Sequence, residues 1–90
     1  ENPEGYEKTK VANYIKNWSV QYRFFFYSNE QGEPPHIHIQ RERALAKFWL
    51  SPVLLASSIR FPPKEIRDLK KHVQNNESKF MEAWNEYFKN

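Results

Sequence analysis

The chain has 90 residues, 39% hydrophobic and 17% aromatic, with no cysteine, and 14 Lys plus Arg against 11 Asp plus Glu give a formal charge of +3. A chain of this length builds one small core, and the lack of cysteine excludes a disulfide framework or a thiolate-held zinc as its staple. Three Trp, seven Phe and five Tyr exclude a disordered composition, while the mild positive balance permits contact with polyanions without requiring it.

Residues 1–9 are polar and contain Pro3 and Gly5, which predicts a flexible arm, with residues 10–90 forming a single domain. The leading segment, ENPEGYEKTK, has no apolar h-region, and nowhere does an apolar run approach the roughly 18 residues of a membrane span. No membrane association is expected, and the cytoplasm is the default location. From Lys10 to Gln21 the apolar positions Val11, Tyr14, Ile15, Trp18 and Val20 match neither strand nor helix spacing. A strand or irregular lead-in around Val11 to Ile15, then a turn near Lys16-Asn17, is the reading there.

Tyr22 to Ser28 predicts a strand, since aromatic residues favour pleated surfaces. Alternation places Tyr22, Phe24 and Phe26 on one face and Arg23, Phe25 and Tyr27 on the other. Asn29 to Pro35 carries the Asn, Gly and Pro residues of a turn, so a hairpin follows with His36 to Arg41 as its second arm. His36, His38 and Gln40 share one face of that arm, Ile37 and Ile39 the other. Arg41-Glu42-Arg43 predicts an exposed turn and Ala44 to Leu50 a third strand, stopped by Ser51-Pro52. Val53 to Ser58 fits a fourth strand or one helical turn. Phe61-Pro62-Pro63-Lys64-Glu65-Ile66 reads as a helix start, with Pro63 at the first position, Glu65 at the positive dipole end and Phe61 stapled to Ile66. Ile66, Leu69, Val73, Phe80, Trp84 and Tyr87 or Phe88 recur at helical spacing, which predicts one helix, bent at the weak point Asn75-Asn76, where a break would instead give two helices. The fold expected is α+β: an antiparallel sheet of three to four strands packed on one face by a long C-terminal helix. The helix covers Ile37 and Ile39, leaving His36 and His38 on the opposite face.

The blocks YRFFFYSNEQGEPPHIHI, AKFWLSPVLLA and EAWNEYF, in that order, resemble the small prokaryotic family described as domain of unknown function 4160. The resemblance implies a stand-alone domain, encoded beside another small protein and associated with toxin-antitoxin pairs; it carries no established catalytic residue. This sequence departs from the family in its longer N-terminal arm, in Arg41-Glu42-Arg43 where glycine is common, and at Arg60, where a glycine usually precedes the phenylalanine.

Two imidazoles at i and i+2 on a strand point to one side, a spacing suited to acid-base division of labour or to sharing a metal. His36 and His38 are therefore the candidate catalytic residues, although a structural or surface role is the ordinary expectation for such a pair. A metal needs a third ligand; His72, Glu30 and Glu33 are the available donors, and none has a spacing that commits it. No metal or cofactor is expected. A metal-independent ribonuclease would use His36 and His38 with nearby cations to stabilise phosphorane-like charge. Arg23, Tyr27, Arg41, Arg43 and Lys47 are the candidate nucleic-acid-binding residues, with Phe25 and Trp49 as further stacking rings and Tyr22 as a proton relay. The ordinary reading of Arg41, Arg43 and Lys47 is a solvated turn and strand edge. The second sheet face is alternatively buried against another subunit or a partner encoded nearby. The expected function is thus one component of a toxin-antitoxin-like pair, binding a protein partner and RNA. A ribonuclease and a plain interaction module, homodimeric or not, are the alternatives.

Overall fold

A computed structural model describes residues 8–11 and 22–88. The elements run β1 (Lys8–Val11), β2 (Arg23–Tyr27), β3 (His36–Arg41), β4 (Ala44–Leu50), β5 (Val53–Ile59), α1 (Pro63–Asn75) and α2 (Glu77–Phe88). The strands form one antiparallel sheet in the order β1-β2-β3-β4-β5, so every strand pairs with its neighbour in sequence. β1 starts two residues inside the stretch expected to be an arm. Residues 1–7, the lead-in expected over Val11 to Ile15 apart from Val11 itself, and the turn expected near Lys16-Asn17 lie outside the described residues.

Register divides the sheet into two faces. Phe24 opposes Ile39, Ile39 opposes Ala46, and Ile37 opposes Phe48, so these side chains share one side. That side meets the helices: Phe24, Phe26, Ile37, Ile39, Phe48 and Leu50 are buried in one cluster with Leu69, Val73, Phe80 and Trp84. Phe24 stacks on Phe80 with ring centroids 5.4 Å apart, and Phe26 meets Trp84 edge-on at 5.1 Å. The expected placement of Ile37 and Ile39 toward the helical layer therefore holds. Phe25, His38 and Lys47 oppose one another across β2, β3 and β4 and define the other face.

The apolar stripe is carried by two helices instead of one. α1 starts with Pro63 after an extended Pro62, whose carbonyl accepts the Ile66 N–H at 3.0 Å. It ends at Asn76, which has φ −120° and ψ 21°, outside the helical region. The Asn76 side-chain amide donates to the His72 carbonyl at 2.9 Å, and the Asn76 carbonyl accepts the Phe80 N–H at 3.0 Å. One residue thus closes the first helix and opens the second.

Val53 to Ile59 is a strand, resolving the choice left open by its sequence. Its register shifts between Lys47 and Phe48: Ser57 opposes Lys47 but Leu55 opposes Phe48, leaving Ala56 as the extra residue of a bulge. Two turn residues have positive φ without being glycine: Glu42 at 53° in the β3-β4 hairpin and Arg60 at 67° before α1. These are positions where the family resemblance expects glycine, and the left-handed backbone is the physical reason.

Candidate functional site

Two consecutive turns after β2 set the site. Glu30 N–H donates to the Tyr27 carbonyl at 3.2 Å, and Glu33 N–H donates to the Glu30 carbonyl at 3.0 Å. The fold of this loop returns the Glu30 side chain to the sheet, where Oε1 accepts the Tyr27 N–H at 2.8 Å. Glu30 is only 8% exposed, and its carboxylate lies between two imidazoles. Its Oε2 is 2.9 Å from His38 Nε2, and its Oε1 is 2.9 Å from His36 Nε2. Burial opposes ionisation of Glu30, yet both imidazoles and the Tyr27 N–H hold its carboxyl well below the usual carboxylate range.

His36 is fully buried. As the first residue of β3 its ring sits at the sheet end, 4.9 Å from the Trp84 ring on α2 and 5.7 Å from the Trp49 ring on β4. A surface histidine is therefore not what the structure contains at this position. His36 Nδ1 lies 2.9 Å from the Pro34 carbonyl, which can only accept, so Nδ1 carries a proton and donates it. Nε2 then either carries a second proton or presents a lone pair to an anionic oxygen. Its approach to Glu30 meets the distance of an ion pair without the alignment of a hydrogen bond. His38 behaves as alternation requires, stacked on Phe25 at 5.3 Å and edge-on to Tyr27 at 5.1 Å.

Glu30, His36 and His38 each offer a donor atom, all within 4.8 Å of one another. Of the three carboxylate or imidazole companions suggested by sequence, Glu30 is the one that completes the group. Glu33 instead pairs with Lys47 at 2.7 Å, its oxygen remaining 3.8 Å from His36 Nδ1. His72 packs on Phe24 at 5.5 Å on the helical side, where burial lowers its pKa.

The proposed nucleic-acid contacts are dispersed. Arg23 is exposed, and Tyr27 and Lys47 share the His38 side, where they and Ser57, Ser58 and Ile59 line a shallow concavity of about 240 Å³. Lys47 also lies over the Trp49 ring at 4.7 Å. Arg43 is exposed in the hairpin turn. Arg41 instead faces the helices: it opposes Ala44 and forms a bidentate pair with Glu65, at 2.7 Å from Nε and 2.8 Å from the second nitrogen. Tyr22 donates its hydroxyl to the same carboxylate, and burial with the adjacent Glu65 charge pushes its pKa up to about 12. The Arg41 pair, opposed by burial, holds Glu65 below the ordinary carboxylate value. Arg41 and Tyr22 therefore belong to a clamp between sheet and α1. Extending the β3 alternation by two residues beyond Ile39 would have found Arg41 on this side.

An antiparallel sheet backed by two helices, with a carboxylate bridging two strand histidines, defines a small α+β domain with a polar centre at the sheet end. The family model described as Domain of unknown function (DUF4160) matches residues 22–85, and the chain belongs to that family. No curated protein and no solved structure matches it. Among the described residues no helix is long and apolar enough to cross a membrane.

Proposed function

We propose that this chain is one component of a toxin-antitoxin-like pair and binds its protein partner by accepting a strand at β5. The observation that carries this reading is the character of that strand. Among the described residues β5 ends the sheet, and six of its seven residues, VLLASSI, are exposed, none of them charged. Leu54, Leu55 and Ile59 are 49%, 41% and 54% exposed. Edge strands ordinarily carry lysine, proline or other devices that block pairing, and this one offers backbone donors and acceptors beside apolar side chains. A partner segment of extended, uncharged residues with apolar side chains at alternate positions satisfies both, by β-augmentation. The family resemblance supplies the expectation that the partner is encoded beside this chain.

The test is co-expression with the adjacent gene product. A stable complex is expected, and Leu54→Lys with Ile59→Lys should abolish it while leaving the circular dichroism unchanged, since both side chains are exposed. Failure to form a complex, or a complex indifferent to both substitutions, overturns the reading. A β5-mediated homodimer with no heteromeric complex would instead favour the plain interaction module.

RNA contact is the second part of the proposal, supported by Arg23 and Tyr27 on the His38 side, beside the Glu33-paired Lys47. The metal-independent ribonuclease has weaker support. Both imidazoles face the Glu30 carboxylate, Lys47 is occupied by Glu33 and Arg41 by Glu65, so negative charge surrounds the place where a phosphate would develop more. Incubation of RNA with the wild type in EDTA separates these readings: retention without cleavage fits binding, whereas cleavage lost in His38→Ala fits the enzyme.

A further inference from the structure

We propose that Glu30, His36 and His38 form a binding site for one divalent transition-metal ion of the zinc class. This inference stands apart from the strand-docking reading, because the site is formed by the β2-β3 loop and β3 rather than β5.

The arrangement around His36 carries the argument. Its Nδ1–H is committed to the Pro34 carbonyl at 2.9 Å, the kind of outer partner that orients a metal-ligating imidazole and leaves the other nitrogen as the donor. The Nε2 atom is buried without an aligned hydrogen-bond partner and lies 2.9 Å from Glu30 Oε1. A buried lone pair facing a carboxylate oxygen is unfavourable unless a second proton or a metal cation lies between them, and the metal is the alternative tested below. Glu30 contributes the negative charge and is itself oriented by the Tyr27 N–H at 2.8 Å. His38 Nε2, 2.9 Å from Oε2, supplies the third donor, releasing its hydrogen bond to coordinate.

The spacing is close to what coordination needs. Bonds of about 2.0–2.1 Å in a tetrahedron separate donor atoms by roughly 3.3 Å. The two contacts at 2.9 Å would open by about 0.4 Å, and the whole group already lies within 4.8 Å, so small side-chain rotations suffice. Two imidazoles and one carboxylate select zinc or a neighbouring transition ion over magnesium or calcium, which prefer oxygen donors. Three protein donors leave a fourth position for water or for a donor from a bound molecule.

The experiment uses the full chain, stripped with EDTA and titrated with Zn²⁺ by calorimetry and with Co²⁺ by visible absorption. One saturable site with a sub-micromolar dissociation constant, tetrahedral Co²⁺ bands and a raised Tm are expected, with no response to millimolar Mg²⁺. Glu30→Gln and His38→Ala, each removing a direct donor, should each weaken Zn²⁺ binding by more than the roughly 10–100-fold typical of losing an outer partner, and His72→Gln should leave it unchanged. If either site variant fails to fold, the wild type decides: one equivalent of Zn²⁺ must shift the imidazole resonances of His36 and His38 together. Absence of saturable binding, binding that leaves those resonances unmoved, or binding lost in His72→Gln overturns the proposal.

Discussion

Two glutamates three residues apart in the β2-β3 loop should differ sharply in their worth to the fold. Glu30→Ala removes the acceptor of the Tyr27 N–H at 2.8 Å and of His38 Nε2 at 2.9 Å, and the counter-charge beside the buried His36 ring. Hydrogen bonds to a charged group contribute about 1.5–3 kcal/mol each, and some of the loss is recovered where water reaches the partly exposed His38. The expected cost is about 2–4 kcal/mol, a large share of the roughly 5–15 kcal/mol that holds a small domain together. Glu33→Ala removes the pair with Lys47 and the longer 3.8 Å approach to His36 Nδ1, and with its acidic side chain 44% exposed it should cost less than about 1 kcal/mol. Urea denaturation in EDTA measures both. In thermal scans Glu30→Ala should melt about 8–30 °C below wild type, on the scale of 4–8 °C per kcal/mol for a domain of this size. If the two variants fall within about 0.5 kcal/mol of each other, the bridging role assigned to Glu30 is wrong.

Four further outcomes are expected. Glu42→Gly and Arg60→Gly, at φ 53° and 67°, should each raise stability by about 0.5–1 kcal/mol, because relief of the left-handed backbone exceeds the added freedom of the unfolded chain; a lower urea midpoint for both would contradict this. The Arg41–Glu65 pair depresses the Glu65 carboxyl, so its contribution is present above the ordinary carboxylate range and lost as pH falls through the folded-state value. Glu65→Gln should therefore flatten the acid limb of stability against pH. Tyr22 titrates in the opposite sense: with its pKa raised from 10.0 to about 12, its contribution is complete below pH 10 and fades between those values, a loss that Tyr22→Phe should not show. Phe80→Ala, at a fully buried ring stacked on Phe24, should cost about 3–5 kcal/mol, and Tyr87→Ala, at a ring 46% exposed, much less; equal midpoints would refute the assigned core.

The strand readings came from a local periodicity, and they succeeded where that periodicity is uninterrupted. Alternation in β2, β3 and β4 placed Ile37 and Ile39 against the helices and His38 on the other side, as register shows. It was less informative at β5, where the bulge at Ala56 breaks the period of two and exposure removes the apolar contrast that marks a buried face. Asn75-Asn76 was legible as a weak point. Whether it bent or divided the helix depended on Asn76 being drawn out of helical backbone geometry, a tertiary outcome.

The site was half legible. The His-Ile-His run marked two imidazoles, but the partner that unites them arrives from a loop, where no periodicity applies. Glu30 reaches His38 because two turns between Tyr27 and Glu33 fold the chain back, and nothing in the spacing of Glu30, Glu33 and His72 distinguished among them. The burial of His36 was likewise hidden, since a strand's first residue can be capped by whatever packs at the sheet end, here Trp84 from 48 residues later in the sequence. Arg41 illustrates the converse: charge suggested a solvated turn, whereas its parity with Ile37 and Ile39 pointed to the helical side and to Glu65.

The most direct test of the central claim, that Glu30 draws His36 and His38 into one centre, is a long-range proton–nitrogen spectrum of the imidazoles in wild type and Glu30→Gln. The account predicts a proton on His36 Nδ1, held by the Pro34 carbonyl, and a displacement of both rings' Nε2 signals on the substitution. A proton found only on His36 Nε2, or two rings whose signals ignore the loss of the Glu30 charge, would contradict it.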